Sequence, residues 1–156
     1  MPLKIGDKAP AFQLYSDSRS LVRLEDYSGS PLVLLFFPLA FSSVCTQELC
    51  TVRDALPDYG KLDAAVAAVS VDSLYTLAQF KAGQGLNFPL LSDFNKEVSR
   101  QYGCLYDTYA FDMHGVSKRA AFVLDGEGIV RYAEVLESAG KQPDYSAIRA
   151  TLAALQ

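Results

Sequence analysis

Three cysteines and one histidine carry the nucleophilic chemistry of this 156-residue chain, and one of the cysteines stands where position alone favours reaction. Cys45 follows a continuously apolar run, Leu32-Val33-Leu34-Leu35-Phe36-Phe37, that Pro38 ends. From Ser43 to about Asp58 the pattern turns helical, with Val44, Leu49, Val52 and Leu56 recurring near helical spacing. With Ser42 or Ser43 as N-cap and Glu48 in the second turn, Cys45 falls in the first turn of that helix. A helix N-terminus carries about half a positive charge on its unpaired N–H groups. That charge stabilises a thiolate and does nothing for a thiol, so Cys45 is placed as a nucleophile. Ser42 can set a hydroxyl beside the sulfur as donor or acceptor. Pro38 can wall the pocket without an N–H of its own. The competing reading, a small buried hydrophobe, describes most free cysteines, and these two neighbours count against it.

Such a site needs a frame to hold it. Residues 11–24 alternate apolar and polar around Ser16-Asp17-Ser18-Arg19, which predicts a short hairpin. The run at 32–37 reads as a strand buried on both faces. Ala64 to Val71 is a second apolar run, followed by an Asp72/Ser73 cap and a helix through about Ala82 that Gly83 and Gly85 close. A short strand around Phe88 to Leu91 and a short helix from Asn95 to Tyr102 come next. The runs AAFVL and IVRYAEVL, split by Asp125-Gly126-Glu127-Gly128, signal a second hairpin, and Asp144 to Leu155 is an amphipathic helix. This order predicts an α/β chain with a thioredoxin-like fold: a central mixed sheet flanked by helices on both faces, an N-terminal β-hairpin extension and one inserted strand–helix segment. With no linker, repeat or low-complexity tract, residues 1–156 read as a single domain.

Composition removes other classes. Fourteen basic and eighteen acidic side chains give a net charge of −4, with no block of like charges, so no nucleic-acid partner is expected. The longest apolar run, Pro31 to Phe41, is short of the ~20 residues that span a bilayer, and MPLKIGDKAP has no apolar leader core, so no membrane association and a cytoplasmic location are expected. Three cysteines are too few, and odd in number, for a disulfide scaffold. A structural zinc site would consume Cys45, Cys50, Cys104 and His114 together, so no metal is expected. Gly83-Gln84-Gly85 lacks the third glycine of a dinucleotide loop and reads as a helix stop, so no cofactor is expected either. A cysteine hydrolase needs a histidine base, and His114, in Asp112-Met113-His114-Gly115, reads as a loop residue.

Pro38, Ser42 and Cys45 resemble the Pro-x-x-x-Thr/Ser-x-x-Cys signature of the peroxiredoxins, and the thioredoxin-like order around them spans nearly the whole chain. The resemblance implies that Cys45 is the peroxidatic cysteine, which attacks the O–O bond of a hydroperoxide and becomes a sulfenic acid. It also implies an arginine from a later strand beside the thiolate. In Ser117-Lys118-Arg119-Ala120-Ala121-Phe122 the match is Arg119, since Lys118, one position away on a strand, faces the opposite side. A planar, permanently charged fork can hold both sulfur and a peroxide oxygen. Donors fixed around both atoms stabilise the charge moving onto the departing oxygen. Ser42 departs from the commoner threonine: it keeps the hydroxyl and lacks the methyl that restricts its rotamer. Glu48 matches a glutamate found three residues after the cysteine in several subgroups, with a solvated helix acid as an equal alternative.

Cys50, five residues on, resembles the resolving cysteine of the bacterioferritin-comigratory (PrxQ-like) subgroup. On an intact helix, five residues give ~7.5 Å of rise and ~140° of rotation, so the Cα atoms lie roughly 8–9 Å apart, beyond the ~7 Å limit for a disulfide. A Cys45–Cys50 bond therefore requires residues 42–51 to unwind. Tyr102-Gly103-Cys104, Ser117-Lys118-Arg119 and Gly128 to Glu134 resemble the AhpE-like subgroup instead, many of whose members lack a resolving cysteine and rely on an external thiol. Cys104 reads as a core residue. The resemblance further implies a hydroperoxide substrate and a thioredoxin-, glutaredoxin- or low-molecular-weight-thiol reductant. It also implies a homodimer, to which exposed aromatics such as Phe41, Tyr106 and Tyr109 contribute. A redox-sensing or holdase-type protein of the same fold is the alternative to an enzyme.

Overall fold

A computed structural model, which describes residues 3–156, arranges the chain as β1 (Gln13–Ser16), β2 (Leu21–Arg23), β3 (Leu32–Phe36), α1 (Ser43–Lys61), β4 (Ala65–Ser70), α2 (Leu74–Gln84), β5 (Leu90–Ser92), α3 (Glu97–Gln101), β6 (Thr108–Tyr109), β7 (Met113–His114), β8 (Arg119–Leu124), β9 (Val130–Leu136) and α4 (Tyr145–Ala154). Seven strands form one sheet in the order β2-β1-β5-β4-β3-β8-β9. β3, β4 and β5 run parallel, whereas β8 and β9 continue the sheet antiparallel beyond β3, and the β1–β2 hairpin extends it beyond β5. This is the expected mixed sheet with an N-terminal hairpin. β3 is the third strand from the β9 edge and is buried along its whole length, which is why its sequence is continuously apolar.

The sheet divides the core in two. Val33, Leu35, Ala121 and Val123 face α1, α2 and α4, meeting Leu49, Val52, Leu77, Phe80, Ile148 and Leu152. Leu32, Leu34, Phe36, Ala120 and Phe122 face the other way, against Phe12, Val98 and Tyr102. Period-two alternation along β8 therefore puts Arg119 on the same side as Ala121, Val123 and the start of α1.

Several local expectations are corrected. α1 continues past Asp58 to Lys61 with Pro57 inside it. The carbonyl that a proline N–H would have bonded, that of Arg53, instead accepts from Asn87 Nδ2 at 3.4 Å, which offsets part of the cost of a mid-helix proline. Gly83 lies within α2, and Gly85 alone closes it, in the left-handed conformation (φ 61°). Ser73 caps α2 by accepting from Thr76 N–H, and Asp144 caps α4 in the same way through Ala147 N–H. Asp93 does this for α3, its two carboxylate oxygens taking the Val98 and Ser99 N–H groups at 3.1 and 2.7 Å. His114 is not in a loop but on the two-residue strand β7, exposed, its Nδ1 next to the Asp107 carbonyl at 3.1 Å. Of the aromatics expected at the surface, Phe41 is exposed. Tyr106 and Tyr109 are half-buried and pack on one another, ring centroids 5.2 Å apart. Phe111, which the sequence did not single out, is the most open, at 95% exposure.

Candidate active site

The loop from Phe37 to Ser42 carries the chain from the end of β3 into α1. Phe37 N–H still bonds the Val69 carbonyl of β4 (3.0 Å), so the strand holds the loop at its root. Pro38 is buried immediately after it. Further along, Ala40 N–H donates to Asp72 Oδ2 at 2.8 Å, and the same oxygen accepts from the Ser70 hydroxyl at 2.7 Å. Asp72 thus ties the loop to the β4–α2 turn, a role its sequence position gave no sign of. Phe41 then adopts a left-handed backbone (φ 71°), a conformation that carries strain in a bulky residue.

Ser42 has N-cap dihedrals, but its hydroxyl caps nothing. The proton points back to the Leu39 carbonyl at 2.8 Å, so only the oxygen's lone pairs remain uncommitted. Cys45 lies in the first turn of α1 and is fully buried. Its Sγ accepts from Arg119 Nη2 at 3.3 Å. The same Nη2 also reaches the Ala139 carbonyl at 2.9 Å, and Nη1 donates to Glu48 Oε1 at 2.8 Å. Arg119 is fixed from three directions.

Glu48 is fully buried, so the solvated-acid reading is overturned. Three residues after Cys45, it shares the inward face of α1 with Cys45, Leu49 and Val52. Burial pushes its carboxyl up to about 7 even though Arg119 pulls the other way, and Glu134 adds to the upward push. The Arg119 charge is stabilised by Glu48 and by the Cys45 sulfur, against the cost of burial. Glu48 Oε2 and Arg119 Nε are left without hydrogen-bond partners, an arrangement that holds polar groups unspent in a dry site.

Cys50 looks elsewhere. It is half-buried on α1, with its Sγ 3.5 Å from Gln84 Oε1 at the end of α2, and all three cysteines are free thiols. Cys104 sits in the core on the opposite face of the sheet, its Sγ 4.0 Å from the Ser117 hydroxyl. Lys118 turns outward to Glu137 at 3.0 Å, leaving Arg119 as the arginine of the site. Among the described residues, no cluster of three or more histidine, cysteine or acidic side chains is placed to hold a metal ion, and no helix is long and apolar enough to cross a membrane.

A thioredoxin-like sheet that delivers a buried arginine to a cysteine at a helix start places the chain among the thiol-dependent oxidoreductases. Similarity narrows the class. A model described as the AhpC/TSA family matches residues 5–133, and the chain belongs to that family, the peroxiredoxins, which reduce peroxides through a cysteine. It is 40% identical over 144 residues to alkyl hydroperoxide reductase E of Mycobacterium tuberculosis, covering 90% of this chain and 88% of the relative. It is 34% identical over 132 residues to a putative peroxiredoxin bcp of Coxiella burnetii, covering 83% and 87%. Among solved structures, peroxidoxin BcpB of M. tuberculosis superposes with a TM-score of 0.87 at 28% identity over 99% of each chain. A bacterioferritin comigratory protein of Xanthomonas campestris does so with 0.80 at 28% identity over 92% and 90%. The protein is a thiol-dependent peroxidase.

Proposed function

We propose that Cys45 is the peroxidatic cysteine of this peroxidase, that Arg119 holds its thiolate and the peroxide, and that Pro38 and Ser42 shape the pocket. The observation that carries this is the 3.3 Å contact between Arg119 Nη2 and Cys45 Sγ in a site closed to water. A fixed cation there stabilises the attacking thiolate. As the O–O bond lengthens, charge builds on the departing oxygen, and the guanidinium meets it without reorganising. The Ser42 oxygen, its proton committed to Leu39, is left to accept from the peroxide O–H. The product is a Cys45 sulfenic acid, formed from hydrogen peroxide or an organic hydroperoxide.

Cys50 resolves that sulfenic acid as an intramolecular disulfide, which a thioredoxin-, glutaredoxin- or low-molecular-weight-thiol reductant then opens. Because α1 is helical through both cysteines, its first turns unwind for the bond to form. Two local features favour this: α1 starts without a side-chain cap, and Phe41 is strained and exposed at the hinge. Both make the segment cheaper to open than a capped helix start. The chain works in the cytoplasm as a single domain, residues 1–156, and as a homodimer.

Mass spectrometry after one equivalent of peroxide tests the assignment. Wild type is expected to lose two hydrogens as a disulfide, and Cys50→Ser to gain one or two oxygens instead. A wild type that accumulates a stable sulfenic acid excludes Cys50 as the resolver.

A further inference from the structure

Arg119 touches two groups that can each become an anion, and it carries one charge. Nη1 meets Glu48 Oε1 at 2.8 Å and Nη2 meets Cys45 Sγ at 3.3 Å, with all three side chains excluded from solvent. One buried guanidinium balances one buried negative charge; a second, unbalanced anion is heavily penalised in such a place. Among the described residues, nothing else around Glu48 supplies a cation to offset it. From β9 comes Glu134, whose Oε1 is held by the Tyr132 hydroxyl and the Asp144 N–H, each at 3.0 Å. From α4 comes Tyr145, whose own ionisation is suppressed first by burial and then by the nearby Glu48. On α1 itself stands Cys45. Among the described residues Glu48 Oε2 has no hydrogen-bond partner, which suits a protonated carboxyl far better than a carboxylate, since a neutral acid costs less to bury unpaired.

We propose that Glu48 holds a proton while Cys45 is a thiolate, and gives it to the oxygen that departs when the peroxide bond breaks. The step rests on Cys45 being the attacking thiolate. The sulfur lone pair forms a bond to the distal oxygen, the O–O bond breaks, and its electron pair stays on the departing oxygen, which takes the Glu48 proton. Cys45–S⁻, ROOH and Glu48–COOH become Cys45–SOH, ROH and Glu48–COO⁻. Sulfur is oxidised, the peroxide is reduced, and the site has the same net charge before and after. The anion paired with Arg119 is the thiolate at the start and the carboxylate at the end. Arg119 is therefore never left without a counter-charge, and never shared between two. When reduction restores the thiolate, Glu48 takes a proton back from solvent. Its carboxyl, pushed up to about 7 by burial, is suited to both transfers near neutral pH.

Glu48→Gln separates this from a positioning role. The amide keeps the size and the oxygen that Arg119 needs and has no acidic proton. An alkyl hydroperoxide releases a strongly basic alkoxide, and a peroxycarboxylic acid releases a carboxylate that needs no proton. Stopped-flow oxidation of Glu48→Gln is expected to slow by about 10²-fold with the alkyl hydroperoxide, the scale of a lost general acid, and by less than about threefold with the peroxyacid. An equal loss with both substrates overturns the proposal, because a misplaced Arg119 harms both reactions alike. Difference infrared spectroscopy needs no variant: reduced wild type is expected to show a protonated-carboxyl band that disappears on one equivalent of peroxide. The absence of that change also overturns it. Peroxide consumption that survives Cys45→Ser overturns instead the assignment of the attacking thiolate, on which this step rests.

Discussion

Two cysteines on opposite faces of one sheet are equally hidden from solvent and chemically unlike. Cys45 and Cys104 both have no exposed surface. Around Cys104 the neighbours are Ala120, Phe122 and Tyr102, with one hydroxyl at 4.0 Å. That hydroxyl is already committed, Ser117 Oγ donating to the Lys118 carbonyl at 2.9 Å. Burial pushes the Cys104 thiol up to about 12; the Ser117 hydroxyl and the more distant Lys118 pull it down too weakly to matter, and Asp93 works against them. Around Cys45 the burial is the same, but a guanidinium donates to the sulfur, and the residue lies in the first turn of α1. Burial makes a charge expensive, and it also strengthens whatever attraction a nearby fixed cation provides. The same dry interior that silences one thiol magnifies the cation beside the other.

The comparison can be broken at its strongest point first. Cys45→Ser is expected to reduce peroxide consumption by at least about 10³-fold, because a serine hydroxyl in the same place is not ionised and is a poor nucleophile. Stopped-flow kinetics with the purified variant decide this, and a loss under tenfold would erase the distinction between the two thiols. Next in size is Arg119→Lys. The ammonium keeps the charge but cannot reach Glu48, Cys45 and the Ala139 carbonyl at once, as the fork does. The rate constant for peroxide is expected to fall by about 10²-fold, the scale of a lost transition-state donor. A lysine variant with wild-type kinetics would mean that charge alone, not the fork, distinguishes Cys45 from Cys104.

Most of this contrast was visible in the residues. A strand apolar without interruption, a proline to stop it and a cysteine in the next helical turn depend only on local patterning, and the structure keeps all three. Arg119 could be preferred to Lys118 because strand alternation allows only one of them to face α1. Glu48 was half legible. The resemblance offered it as a site residue and a solvated helix acid was the equal alternative; only the arrival of Arg119 from 71 residues away makes its burial tolerable. Asp72 and the Ala139 carbonyl were not legible at all. Each acts by reaching a loop or side chain far along the chain, and no local pattern marks such a partner. The side-chain cap expected of Ser42 or Ser43 is missing for a related reason: the loop folds back far enough that Leu39 offers the Ser42 hydroxyl a carbonyl.

The smallest expected effect on rate lies at Cys104, and it sharpens the comparison from the other side. Cys104→Ala removes a buried sulfur from between Tyr102 and Ser117 without touching any group on the α1 face. The vacated space is smaller than the one a leucine truncation leaves, so the cost is about 1 kcal/mol of stability. For a chain of 156 residues that corresponds to a fall in Tm of about 2–4 °C, read by thermal unfolding of the reduced protein. Peroxide kinetics are expected to stay within about twofold of wild type, since substitutions remote from a site and sharing no partner with it act independently. Arg119 and Ser117 are close along the chain, however, so the two faces are joined by two residues of backbone leading into β8. If Cys104→Ala lowers the rate tenfold, the packing behind β8 helps aim Arg119. The Cys104 face would then support the Cys45 face and not merely lie behind it.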